Sequence, residues 1–181
     1  YRQDQPHVLP EIEVGFLGEP DSVPVIGGRW SADLSLLGIV RDNDEQDVNR
    51  GYAQLGWQRK LVSDYGLVTV LDAQGSATFY DVNDRTGSIG STSVEQNSRE
   101  QRYHAYINAQ TSYPIAKNYE NHQWVIEPIA ALKASPELDD YEDYPNEDSQ
   151  DVQLDALNLF NPNRFPGEDG IEDGSHATYG I

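Results

Sequence analysis

The sequence predicts an all-β fold, namely an antiparallel transmembrane β-barrel segment that forms an open curved sheet of about seven strands. Three observations lead there. Apolar and polar residues alternate with a period of two in run after run. Several runs reach 10 to 14 residues, against ~5–6 for an ordinary globular strand and ~9–11 for a tilted strand crossing a bilayer. Aromatic residues gather toward the ends of the apolar faces, as an interfacial girdle requires. No segment carries the i, i+3, i+4, i+7 apolar pattern of a helix over three turns.

Taken in order, a weak strand covers Val8 to Phe16. Trp30, Ala32, Leu34 and Leu36 then oppose Ser31, Asp33 and Ser35. Ala53, Leu55 and Trp57 oppose Gln54 and Gln58. From Gly66 to Tyr80, Leu67, Thr69, Leu71, Ala73, Ala77 and Phe79 share one face, with Asp72, Gln74, Ser76 and Thr78 opposite. The clearest run, Arg102 to Tyr113, sets Tyr103, Ala105, Ile107, Ala109, Thr111 and Tyr113 against His104, Tyr106, Asn108, Gln110 and Ser112. A last run, His122 to Ala134, groups Trp124, Ile126, Pro128, Ala130 and Leu132 opposite Gln123, Glu127 and Lys133.

Composition narrows the function. In 181 residues there are 31 acidic and 12 basic side chains, a formal charge of −19. Such acidity argues against nucleic acid and anionic surfaces as electrostatic partners. With no cysteine and four histidines, disulfides, thiolate metal sites and a histidine-built zinc site fall away. A mean hydropathy of −0.67 suits a barrel, whose alternating strands average to a weak signal. The chain opens with Tyr1, contains no methionine and stops on the strand-like Ala177 to Ile181. The expectation is a fragment of a longer chain, with residues 1–181 a partial barrel domain.

Connections sort by length and charge. By strand parity, 41–50, 81–101 and the long acidic stretch 135–175 share one rim, and the shorter 63–66 and 114–121 share the other, together with 18–28. Residues 41–50, 81–100 and 135–175 hold 21 of the 31 acids but only five of the 12 basic residues. Dense carboxylates such as Glu137, Asp139, Asp140, Glu142 and Asp143 read as a solvated loop rather than a glycosidase pair. Asp42-Asn43-Asp44 and Asp81-Val82-Asn83-Asp84 have calcium-like oxygen spacing but do not continue into an EF-hand loop. Nucleophile elbows, P-loops and dinucleotide fingerprints are absent, and His104 and His122 read as structural or exposed. No catalytic residue is expected.

The long connection carries Pro145-Asn146-Glu147-Asp148-Ser149-Gln150, then Asn158-Leu159-Phe160, Asn163-Arg164-Phe165, Gly167 and Glu172-Asp173-Gly174. Upstream stand Trp124-Val125-Ile126-Glu127-Pro128-Ile129-Ala130, Arg50-Gly51-Tyr52 and Leu9-Pro10-Glu11-Ile12. In this order the sequence resembles, over nearly its whole length, the outer-membrane barrel of the LPS-assembly protein (LptD, organic solvent tolerance protein) family. One departure stands out: Asp169-Gly170 replaces the Asp-Arg that many members carry after the loop glycine, so any salt bridge of that Arg cannot be carried over.

The resemblance implies a closed antiparallel barrel in the outer membrane of Gram-negative bacteria that moves lipopolysaccharide to the outer leaflet. It implies as partners lipopolysaccharide, outer-membrane lipid, an LptE-type lipoprotein plug and, through an N-terminal domain not in this sequence, the periplasmic Lpt bridge. On that reading the lumen-facing polar residues are Asp33, Gln54, Gln58, Asp72, Gln74, His104, Asn108, Gln110, Glu127 and Lys133, which solvate the interior and meet the plug or a passing saccharide. The long connections would be extracellular. No cofactor is expected beyond a Ca²⁺ or Mg²⁺ ion bridging acidic loops to phosphate, with Glu147, Asp148 and Asp151 as candidate ligands. Two other readings remain open: another outer-membrane barrel, porin or receptor, and a soluble secreted calcium-dependent carbohydrate-binding β protein.

Overall fold

In the computed structural model the described residues are 7–41, 47–89, 92–138 and 144–181. Asp42-Asn43-Asp44 and the acids at 139–143 lie outside them. All described elements are β: β1 (His7–Val8), β2 (Ile12–Leu17), β3 (Arg29–Val40), β4 (Asp47–Val62), β5 (Val68–Ile89), β6 (Thr92–Ser112), β7 (Ile115–Asn118), β8 (Gln123–Ile126), β9 (Ile129–Ala134) and β10 (His176–Gly180). Every pairing is antiparallel, and β1, β3, β4, β5, β6, β9 and β10 follow one another across an open sheet, with β2 also on β3.

Register fixes which side chains share a face. Asp33 pairs with Gln54, Gln54 with Ser76, and Ser76 with His104. The opposite face reads Leu34, Ala53, Ala77 and Tyr103 through the same ladders. That second face is apolar and bare: Leu55 is 69% exposed, Ile107 62% and Leu132 64%. Tyr103 and Tyr113 bound its clearest strand. Ten residue steps at ~3.3 Å span about 33 Å, and a ~40° tilt reduces this to about 25 Å, the height of a barrel's lipid-facing band. Phe79 meets Tyr103 edge-on at 6.2 Å, and Trp30 pairs in register with Trp57.

Five expectations need correction. The run from Val8 to Phe16 is broken around Pro10 into β1 and β2, both on β3. Residues 81–101 are not a loop: β5 and β6 run to 22 and 21 residues, paired as far as Ile89 and Thr92 with a register shift between Val82 and Arg85. At ~3.3 Å per residue each is about 70 Å long and extends far beyond a bilayer. The sequence of this stretch is polar without a period-two alternation, so nothing local announced the pairing. The link 114–121 likewise holds β7, paired with β8.

The run from His122 to Ala134 is also broken, into β8 and β9 at Glu127 and Pro128. Pro128 has no N–H to give the ladder, although its carbonyl still accepts from the Tyr113 N–H at 3.0 Å. Glu127 is therefore exposed beside the break and not on the wall. The largest correction concerns 135–175: its described part is no solvated rim but folds onto the polar face of the sheet.

Candidate functional site

The centre of the docked connection is Arg50, on β4, with a side chain 1% exposed. Its guanidinium reaches Asp148 at 2.7 Å, Glu168 at 2.8 Å and Asp169 at 2.8 Å. Arg102, one strand beyond Tyr80, gives its two terminal nitrogens to the main-chain carbonyls of Asp169 and Glu168, at 2.7 and 3.0 Å. Its charge also lies over the Tyr80 and Tyr144 rings, 5.7 and 5.5 Å from their centroids. The Tyr80 hydroxyl donates to Asp169 at 2.7 Å and the Ser35 hydroxyl to Glu168 at 2.5 Å. Four neighbouring strands thus hold two adjacent residues of the connection.

Those two residues are held by a second stretch of the same connection. Asp148 accepts the N–H groups of Glu168 and Asp169, both at 3.0 Å. Asp169 accepts the N–H of Glu147 at 2.8 Å, and the Ser149 hydroxyl accepts the N–H of Gly170 at 2.5 Å. Gly167 has φ +76°, and any Cβ there would run into the Asp148 carboxylate, so glycine is required twice over. A Cβ at Gly170 would stand 2.5 Å from Phe165 and 2.8 Å from the Ser149 Cβ, so this position is closed to a side chain unless those neighbours move. Farther along, Lys133 donates to the Glu172 carbonyl, Arg41 pairs with Glu147, and Arg164 pairs with Glu172 at 2.9 Å.

Arg50 and Arg102 with the connection they hold form a clasp, in which the partly exposed acids Asp148 and Glu168 respond oppositely. Burial works against the Asp148 carboxylate, but the N–H groups of Glu168 and Asp169 and the Arg50 guanidinium outweigh it and lower its pKa below 3.8. Burial dominates at Glu168 and raises its pKa above 4.5, despite the Ser35 hydroxyl and Arg50.

Asp33, Gln54, Gln58, Asp72, Gln74, His104, Asn108, Gln110 and Lys133 lie on the face that carries Arg50. Asn108 donates to Asp72 at 2.9 Å, Gln54 to Asp33 at 3.2 Å, and His104 meets Ser135 at 2.8 Å. Glu127 is off this face. Glu147 and Asp148 turn to arginines, Asp151 is exposed, and no three acidic or histidine side chains converge as a metal site among the described residues.

A family model described as LptD, LPS transport system D, matches residues 1–181, the whole chain. The chain belongs to the LptD family. No curated protein matches it. The LptD family serves lipopolysaccharide transport and assembly at the outer membrane and is not a family of enzymes. Several of the residues quoted for the resemblance are parts of the clasp, namely Arg50 from the wall and Glu147 to Ser149 and Gly167 from the connection, with Asp169 at the point of departure; Glu168 stood in none of those motifs. Arg102 and Tyr80 lay outside that reading. Their position on the polar face was the available signal, but their partners are 67 and 89 residues away in sequence.

Two outcomes follow for this LptD-family clasp. Arg50→Ala strands three carboxylates and should cost about 3–5 kcal/mol, the penalty for breaking a buried ion pair. Protease sensitivity around Leu154 to Leu157 should rise while the strand signal in circular dichroism stays. The pH response has two signs. Glu168, raised in the docked state, favours docking below about 4.5 and loses that contribution as pH rises through its docked pKa. Asp148, lowered, favours docking above 3.8 and loses that contribution as pH falls through its docked pKa. Glu168→Gln should therefore abolish the gain in protease resistance on mild acidification, and Asp148→Asn the loss at lower pH.

Proposed function

We propose that this chain is a stretch of the wall of a closed outer-membrane barrel that delivers lipopolysaccharide to the outer leaflet. The bare apolar face is the lipid side, and the polar face with its docked connection is the lumen side. The observation that carries this reading is the contrast between the two faces. Along β6 from Tyr103 to Tyr113 the apolar face carries no charged residue, while the other face of the sheet buries Arg50, Arg102 and Lys133. In hydrocarbon every backbone group must find a partner within the protein, so the outer edges of β2 and β10 would pair with further strands of a larger barrel. The connections after β3, β5 and β9 would then be extracellular, and those after β4 and β6 periplasmic.

On this reading lipopolysaccharide moves past a lumen lined by amides, hydroxyls and paired charges, and no bond is made or broken. The partners are lipopolysaccharide, the surrounding lipid, a lipoprotein plug of the LptE type and the periplasmic Lpt bridge. The docked connection narrows the lumen from the extracellular side. Arg50 and Arg102 already hold carboxylates or carbonyls of the connection, so they are not free to bind phosphates of the passing glycolipid.

The test is a pair of substitutions at adjacent positions. Ile107→Arg should cost about 2–4 kcal/mol in a bilayer refolding titration, the range for a cation on the lipid face near midplane. Asn108→Arg should cost under half as much. Equal costs, or the larger cost at Asn108, would contradict the assignment of faces.

A further inference from the structure

Below the clasp, a cavity of about 460 Å³ lies between the polar face and the turn Phe160-Asn161-Pro162 of the connection. That volume is within the ~300–1,000 Å³ of small-molecule sites. Five amide side chains line it: Gln58, Gln74, Asn108, Gln110 and Asn161. Two of these are already engaged, Gln74 accepting from the Tyr106 hydroxyl at 3.2 Å and Asn108 donating to Asp72 at 2.9 Å. The side chains of Gln58, Gln110 and Asn161 make no hydrogen bond among the described residues.

We propose that this cavity is a docking site for uncharged saccharide units. An amide offers donors and an acceptor on one planar group. A sugar hydroxyl is itself both donor and acceptor, so vicinal hydroxyls match a row of amides better than any ionic group does. The Tyr106 and Phe160 rings supply apolar surface for the C–H face of a pyranose. Phosphate is disfavoured, because Arg29 is the only cationic residue of the lining among the described residues and the Asp72 carboxylate offsets it. The site therefore selects the neutral part of a glycolipid rather than its phosphorylated part. This inference rests on the polar face being the lumen side, which the Ile107 and Asn108 substitutions decide separately.

The experiment uses the full chain in a zwitterionic detergent free of sugar, with maltotriose as probe and saturation-transfer NMR as readout. Saturable transfer is expected with a dissociation constant near ~1 mM. The double variant Gln58→Ala/Gln110→Ala should weaken it about tenfold, two neutral hydrogen bonds at roughly threefold each or more. Glu120→Gln, at the exposed tip between β7 and β8, should leave it unchanged. Glucose 6-phosphate should bind at least about tenfold more weakly than maltotriose. No transfer at about 10 mM maltotriose, a double variant that binds as the parent does, or equal binding of the phosphorylated sugar would each overturn the proposal. If Ile107→Arg behaves as expected and maltotriose fails, only the saccharide site falls.

Discussion

A strand wall in hydrocarbon must pair its own backbone from edge to edge, and the ladder from β2 to β10 does so with opposite chemistry on its two faces. Period-two geometry makes this possible, because one register assigns every side chain to one solvent or the other. Along β6 the apolar face is unbroken by charge from Tyr103 to Tyr113. The polar face can then hold groups that lipid would not tolerate. Arg50 and Arg102 are buried only because the chain brings its own carboxylates and carbonyls to them from a distant segment.

That pairing changes the meaning of the chain's acidity. A net charge of −19 suggests repulsive, solvated loops, yet Asp148, Glu168 and Asp169 converge on one guanidinium. They can do so because other donors share the load. Tyr80, Ser35 and the N–H groups of 147, 168 and 169 satisfy the remaining oxygens. Removing one partner of such a network leaves a buried charge exposed to nothing, which is why the connection is held as a unit rather than contact by contact. The neutral cavity beneath it is a consequence of the same arrangement, since the charges are spent above it.

The fold class was legible because a sheet with one apolar and one polar face alternates along each strand, and alternation is visible in a single sequence. Where that constraint ends, so did legibility. The distal parts of β5 and β6 pair as far as Ile89 and Thr92 although their sequence is polar without alternation. Pro10 and Pro128 broke strands that their neighbours' alternation made look continuous. Glu127 had the right parity but sits at such a break. The clasp was half legible: Arg50 and the acids at 147, 148 and 169 stood in motifs shared with a known family, but their contact spans about a hundred residues, a separation no local pattern encodes.

If the apolar face is the lipid side, odd-numbered residues of β6 from Tyr103 to Tyr113 face lipid and even-numbered ones do not. The chain has no cysteine, so each position can be changed to cysteine and spin-labelled singly without removing native thiols. Collision rates with oxygen, which partitions into lipid, and with a water-soluble nickel complex then report the environment of each label. Oxygen accessibility should oscillate with a period of two, with maxima at 103, 105, 107, 109, 111 and 113 and a nickel profile that never peaks there. A flat profile, or maxima at 104, 106, 108 and 110, would contradict that assignment.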